Sequence, residues 1–267
     1  MVKSPITWYG GKSRIAKWIV SHFPEHTSYL EPFGGGASVL FEKPPSEIET
    51  YNDIDLSVSR FFRVLQTQGE EFIRRASLIP YSEVEFQTAT NCHPWSSDLE
   101  LALASFVRWR QSFCGKGQQW GYTAQRSNSG CAESVGVWIN SIEKLTEVID
   151  RLRCVQISCR SAFDLIPALD HPEGLIYCDP PYLRETRNSS HLRVYHTELS
   201  DQEHIRLAGL LRTCRAAVVV SGHQSQLYDE LYEGWRRESK EVPLCAARLR
   251  KSAPKRTECL WIKQRSG

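Results

Sequence analysis

Asp179-Pro180-Pro181-Tyr182 places an acid, two proline carbonyls and an aromatic ring in four consecutive residues. The paired prolines fix the backbone and leave carbonyls without competing N–H donors of their own. A rigid turn would use the prolines, but it gives no reason for an acid and an aromatic to bracket them. The tetrad follows the apolar run 175–178, and open α/β sheets bind ligands just outside the carboxyl ends of their strands. A second group is Leu30-Glu31-Pro32-Phe33-Gly34-Gly35-Gly36-Ala37. Glycines at a strand end let the backbone approach a ligand and expose N–H groups at the following helix. A glycine turn alone is equally a bare turn, but Asp53 follows a second strand at close to the roughly 20-residue spacing that suits a ribose diol. Asp53 could instead cap a helix, although Asp55, immediately before the next helix, suits that role better. Gly10-Gly11-Lys12-Ser13 is not a phosphate-binding P-loop: Ile6 stands where that motif needs glycine, and no hydrophobic strand precedes it. Lys12, beside paired glycines and Trp8, reads as a ligand contact in preference to a surface lysine at a helix start.

The elements that must position these groups alternate. Residues 14–23 form an amphipathic helix stopped by Pro24. Residues 29–33 form a strand, 37–42 a helix stopped by Pro44-Pro45, and 49–52 a second strand. Residues 56–66 read as a helix, with Val58, Phe61, Phe62 and Leu65 at helical spacing. Strand, glycine loop, helix, strand, helix is the order of a doubly wound nucleotide-binding sheet. Residues 81–135 break the pattern with Trp, Gln, Ser, Gly and Arg. Within them, 99–111 is helical and 112–131 is loop or hairpin. Alternation then resumes: helix 137–152, strand 155–159, strand 175–178, helix 201–214, strand 216–221 and a closing strand 258–263.

Composition narrows the class. With 267 residues and 41% hydrophobic content, the chain can bury one sizeable α/β core. A net charge of +2 permits a nucleic-acid partner without requiring one, because local charge matters more. No apolar run approaches the roughly 20 residues that cross a bilayer, and the N-terminal stretch does not resemble a signal sequence. The nine cysteines include no C-x-x-C pair, and their number is odd. Free thiols in a reducing cytoplasm are therefore expected. No H-E-x-x-H pattern occurs, and no metal site is expected.

Together these residues resemble the Dam-like, phage-type family of DNA adenine-N6 methyltransferases. The resemblance is carried by Trp8-Tyr9-Gly10-Gly11-Lys12, Glu31-Pro32-Phe33-Gly34-Gly35-Gly36, Asn52-Asp53, Phe163-Asp164 after a strand, and Asp179-Pro180-Pro181-Tyr182. It spans nearly the whole chain in the family's order of cofactor loop, recognition insert and catalytic tetrad, and 184–195 resembles the loop that follows the tetrad. Ala37 stands where many members carry glycine. The insert does not show the pattern of members that read GATC.

The resemblance implies a Rossmann-like methyltransferase sheet formed by 1–80 and 136–267. The insert 81–135 would be a mostly helical and hairpin subdomain that recognises double-stranded DNA. It implies S-adenosyl-L-methionine as cofactor, held by Trp8, Lys12, Phe33, Gly34, Gly35, Gly36, Asp53, Phe163, Asp164 and Asp179. The target adenine would be flipped out of the duplex. Asp179 and the Pro180 carbonyl would accept its two amino hydrogens, Pro181 would complete the rigid tetrad, and Tyr182 would stack on the base. In the insert, Arg108, Arg110, Lys116 and Arg126 lie among Trp109, Phe113, Trp120 and Tyr122, which suits groove contacts. Arg187 would also meet DNA. Trp109 and Phe113 lie at helical spacing and could equally be core. Arg248, Arg250, Lys251, Lys255 and Arg256 suit phosphates better. Two enzyme alternatives are an RNA adenine-N6 enzyme and an N4-cytosine DNA enzyme. A third possibility is a catalytically silent DNA-binding protein on the same scaffold, against which the intact Asp179 and Tyr182 speak.

Overall fold

The computed structural model describes residues 2–8, 10–94, 96–127, 130–183, 198–243 and 255–265. In chain order the elements are α1 (Ala16–Val20), β1 (Ser28–Glu31), α2 (Ser38–Glu42), β2 (Ile48–Asn52), α3 (Leu56–Ser77), α4 (Glu83–Thr90), α5 (Asp98–Gln111), α6 (Glu133–Glu143), α7 (Leu145–Leu152), β3 (Val155–Ser158), α8 (Ala162–Leu169), β4 (Gly174–Cys178), α9 (Asp201–Thr213), β5 (Ala217–His223), α10 (Gln226–Leu231), β6 (Arg236–Pro243) and β7 (Lys255–Lys263). This is the mixed, Rossmann-like α/β class expected. The chain forms two compact units, Met1–Val20 with Gly34–Pro45 and Asp53–Cys159, and Ser21–Phe33 with Ser46–Asn52 and Arg160–Gly267. The stretch 81–135 lies wholly within the first unit.

The second unit holds strands in the order β2-β1-β4-β5-β7-β6. β1 pairs in parallel with β2 and β4, and β4 with β5. β7 is antiparallel to both β5 and β6. Every residue of β4 and of β5 is buried, as parallel strands covered on both faces require. Ile176, Val218 and Val220 pack with Leu165 and Ile166 of α8 and Leu207 and Leu211 of α9. α9 starts with a reciprocal cap between Ser200 and Glu203. β6 carries Arg236, Arg237, Glu238, Lys240 and Glu241 at the sheet edge, where charge discourages pairing with another chain. That composition hides it from a search for alternating apolar residues.

The first unit is built on α3, which packs against α5 and α7. Asp55 caps α3 by accepting the Ser57 N–H. The helix runs eleven residues past Gln66, to Ser77, through a kink at Gln68, whose φ of −140° is not helical. The kink adjoins Gly69, where a Cβ would sit 2.6 Å from Ile149 of α7. Phe61 stacks on Phe106 of α5 at 5.7 Å, and Phe72 and Trp138 meet the same ring edge-on or tilted. The single helix expected at 137–152 is two helices, α6 starting earlier, at Glu133, and separated from α7 at Lys144. Both bury apolar residues: Trp138 and Ile142 on α6, and Leu145, Val148 and Leu152 on α7.

Candidate active site

Within the second unit, β1 and β4 are parallel neighbours, with Leu30 opposite Ile176. Their carboxyl ends, Glu31 and Cys178, therefore point to the same edge of the sheet. The strand order turns away from this pair on both sides, toward β2 and toward β5, which makes it the switch point where open sheets bind ligands. Glu31 is buried and accepts the Tyr29 hydroxyl at 2.8 Å. Pro32 and Phe33 follow it. The buried Asn52 side chain donates to the Pro32 carbonyl at 2.9 Å and the Arg160 carbonyl at 3.0 Å, and accepts from the Arg160 N–H at 2.9 Å. It thus fixes Pro32, just past β1, relative to the segment leading into α8. There Phe163 lies beneath the Arg206 guanidinium, 4.5 Å away. Asp164 is exposed in the first turn of α8, favourable to the helix dipole.

Asp179 and Pro180 leave β4 at the same edge. Asp179 Oδ1 accepts the Ser221 hydroxyl at 2.7 Å, and the Tyr177 hydroxyl lies 3.0 Å from the Ser221 oxygen. Burial first, and the Asp179 charge second, hold the Tyr177 hydroxyl well above its usual pKa, so it stays neutral. Tyr182 donates to Glu258 Oε2 at 2.9 Å, and its ring meets His223 edge-on at 4.3 Å. Burial, then Asp179 and Glu258, push the Tyr182 hydroxyl well above the tyrosine range. Pro181 is half-buried beside it.

In the first unit, the glycine loop is closed by Trp8. A Cβ on Gly35 would lie 2.4 Å from the Trp8 indole nitrogen, and one on Gly36 2.8 Å from the Trp8 Cβ. Gly35 has a φ of +46°, open to glycine at little cost. Ala37 also has a positive φ, 54°, so glycine suits this position for its backbone freedom as well as its size. The buried Gly34 completes the turn, its carbonyl accepting the Ala37 N–H at 2.7 Å. Asp53 Oδ2 accepts the Gly35 N–H at 2.7 Å, and Oδ1 accepts the Asp55 N–H at 2.8 Å. Burial pushes the Asp53 carboxyl up to about 6, with these two backbone bonds opposing. Lys12 is buried, and its ammonium donates to the Gly10 carbonyl at 3.0 Å.

The model of the D12 class N6 adenine-specific DNA methyltransferases matches residues 8–100 and 111–243. The chain belongs to that family. It is an enzyme that methylates adenine in DNA, and the reaction requires a methyl donor. The type II methyltransferase M.MjaIII of Methanocaldococcus jannaschii is 23% identical over 259 residues, covering 88% of this chain and 89% of its own. A DNA adenine methylase of Vibrio cholerae is 25% identical, covering 86% and 84%. The type II methyltransferase M.CviBI of Paramecium bursaria Chlorella virus NC1A is 20% identical, covering 88% of each.

The residues of the methyltransferase expected from the sequence to meet DNA lie around α5 and the turn after it. Ser112 bridges to Trp120, Phe113 N–H donates to the Gln119 carbonyl at 2.8 Å, and Gly121 N–H to the Gln111 carbonyl at 2.8 Å. These bonds close a small hairpin that leaves Phe113 and Tyr122 exposed. Arg108 is half-buried near Gly117, Lys116 half-buried on the hairpin, and Arg126 exposed. Arg110 points inward: it donates to Thr7 Oγ1 at 3.3 Å and the Val137 carbonyl at 3.1 Å, and burial pulls its pKa down to about 10. Trp109 meets Phe61 and Trp8 edge-on, each at 5.6 Å. Arg187, the loop 184–195, Arg248, Arg250 and Lys251 lie outside the described residues. Among the described residues, no helix is long and apolar enough to cross a membrane, and no cluster of three His, Cys, Asp or Glu could hold a metal.

Three polar residues beside the tetrad, Ser221, His223 and Glu258, belong to no motif singled out in the sequence. Their only signal is a polar side chain next to an apolar run, Ala217–Val220 on β5 and Cys259–Ile262 on β7.

Proposed function

We propose that the enzyme transfers a methyl group from S-adenosyl-L-methionine to the N6 nitrogen of an adenine flipped out of double-stranded DNA, in the cytoplasm. The observation that carries this reading is Asp179-Pro180 at the carboxyl end of the buried strand β4, beside β1. The residues present fit that donor. An ionised carboxylate has about four lone-pair sites. Asp53 uses two for the Gly35 and Asp55 N–H groups, leaving two for a ribose diol. Trp8, Lys12, Gly34, Gly35 and Gly36 would hold the methionine portion, and Phe33, Phe163 and Asp164 the adenosine. When bound, the donor supplies a methyl group already activated on a sulfonium.

The protein's part is orientation and electrostatics. The adenine amino nitrogen is a weak nucleophile because its lone pair is delocalised into the ring. Asp179 and the Pro180 carbonyl accept its two N–H bonds and favour a tetrahedral nitrogen with a localised lone pair. Tyr182 stacks on the base and holds its plane. The segment 81–135 reads the target, with Arg108, Lys116 and Arg126 toward DNA, Arg187 joining them, and Arg110 supporting the segment from within. The segments 1–80 and 136–267 carry catalysis.

The test is transfer of label from tritiated S-adenosylmethionine to DNA lacking methylated adenine, followed by digestion to nucleosides. Label in N6-methyladenine is expected. Label in cytosine, in RNA alone, or nowhere overturns the proposal. Grafting 81–135 into a related enzyme of known target tests the recognition segment: an active chimera that keeps its host's target site refutes that assignment.

A further inference from the structure

We propose that Glu258 is a positioning residue that sets the plane of the Tyr182 ring for methyl transfer; this rests on the stacking role proposed above for Tyr182. Glu258 lies on β7, beyond residue 243, where the family match ends. It begins the sequence Glu258-Cys259-Leu260-Trp261-Ile262, whose other four residues are buried and apolar. A carboxylate that adjoins such an apolar run needs a polar partner. It has the Tyr182 hydroxyl at 2.9 Å on Oε2 and His223 Nδ1 at 3.6 Å from Oε1. The pairing register of β5 and β7 sets Glu258 directly opposite His223, so neither is held by a loop. The His223 ring then meets the Tyr182 ring edge-on at 4.3 Å. The tyrosine is thus held at its tip by a charge-assisted hydrogen bond and at its ring by an edge contact, both from sheet strands. Stacking on a base needs only a ring. Alignment of the amino nitrogen with a methyl group needs that ring in one plane, because small displacements are costly in rate.

Removing the carboxylate lets the half-buried phenol hydroxyl turn toward another acceptor. The cost should fall on kcat more than on either Michaelis constant, since ground-state stacking survives with a tilted ring. The experiment measures kcat, KM for DNA and KM for the donor with DNA lacking methylated adenine. Its variants are Glu258→Ala, Glu258→Gln, Glu258→Asp, Tyr182→Phe, Tyr182→Ala and the double variant Glu258→Ala/Tyr182→Phe. Glu258→Ala should lower kcat about tenfold, the worth of a hydrogen bond to a charged group, with both KM values within about twofold. Glu258→Gln keeps an acceptor for the hydroxyl and should recover kcat to within about threefold. Glu258→Asp draws the carboxylate back along the same line and should resemble Glu258→Ala, which keeps the test open if the alanine variant does not fold. Because both changes act on one contact, the double variant should be no slower than Glu258→Ala. Wild-type kcat in both Glu258→Ala and Glu258→Asp, with Tyr182→Ala inactive, overturns this proposal alone. A double variant slowed by the product of the two single effects also overturns it. Full activity in Tyr182→Ala instead overturns the role of Tyr182 on which it rests.

Discussion

As the ribose acceptor proposed above, Asp53 should give the methyltransferase a pH dependence with opposite signs for binding and for stability. Its carboxyl sits near 6, raised from 3.8 by burial, and its two bonds to the Gly35 and Asp55 N–H groups favour the ionised form. A ribose diol donates two hydrogen bonds, so the ionised carboxylate is the form that binds. At pH 5, one unit below that pKa, about a tenth of the free enzyme is ionised, and donor affinity should be about tenfold weaker than at pH 7.5. Stability runs the other way. The folded pKa lies above the unfolded one, so the contribution of this group is fully present below about pH 3.8 and is lost as the pH rises through about 6. The roughly two-unit shift corresponds to about 3 kcal/mol. Replacing Asp53 by alanine removes both effects and weakens donor binding by about 1–3 kcal/mol, some 5- to 150-fold. Titration calorimetry with S-adenosylmethionine from pH 5 to 8, on both proteins, measures this. Unchanged affinity in the alanine variant, or an equal pH slope in the two proteins, removes Asp53 from the donor site.

Asp179→Ala should abolish methyl transfer while DNA affinity and melting temperature stay close to wild type; near-normal turnover would sink the amino-group mechanism. Gly35→Ala drives a Cβ to 2.4 Å from the Trp8 ring at a φ of +46°, and should cost about 1–3 kcal/mol of stability by thermal melting. Arg110→Ala frees the Thr7 and Val137 contacts and should lower stability by about 1–2 kcal/mol. Arg126→Ala should leave the melting temperature unchanged but relax preference at one position of the target, costing about 1–3 kcal/mol on the cognate site; a stability loss for Arg126 and none for Arg110 would reverse their roles.

Local chemistry was legible without coordinates. Pro44-Pro45 stop a helix wherever they occur, Asp55 can be assigned as a cap from its place before an apolar-periodic run, and a fully apolar stretch such as 217–220 reads as a buried strand. The course of α3 was less legible, because Gln68 and Gly69 look like an end until Ile149 is packed against them. β6 was illegible, since a charged edge strand has no apolar alternation.

The site divides the same way. Residue type alone marked Asp179-Pro180-Pro181-Tyr182 and the glycine loop, because few roles other than ligand contact need an acid and an aromatic around two prolines. Sequence spacing sets Arg110 on a different face of α5 from Arg108, two residues earlier, but could not name Thr7 and Val137 as the neighbours it meets there. Nor could it connect Ser221 to Asp179 or Glu258 to Tyr182, residues 42 and 76 positions apart. Those contacts arise from the parallel pairing of β4 with β5 and the antiparallel pairing of β5 with β7. Strand pairing is a property of the whole sheet: it brings distant residues within hydrogen-bond reach while leaving no local periodicity to betray them.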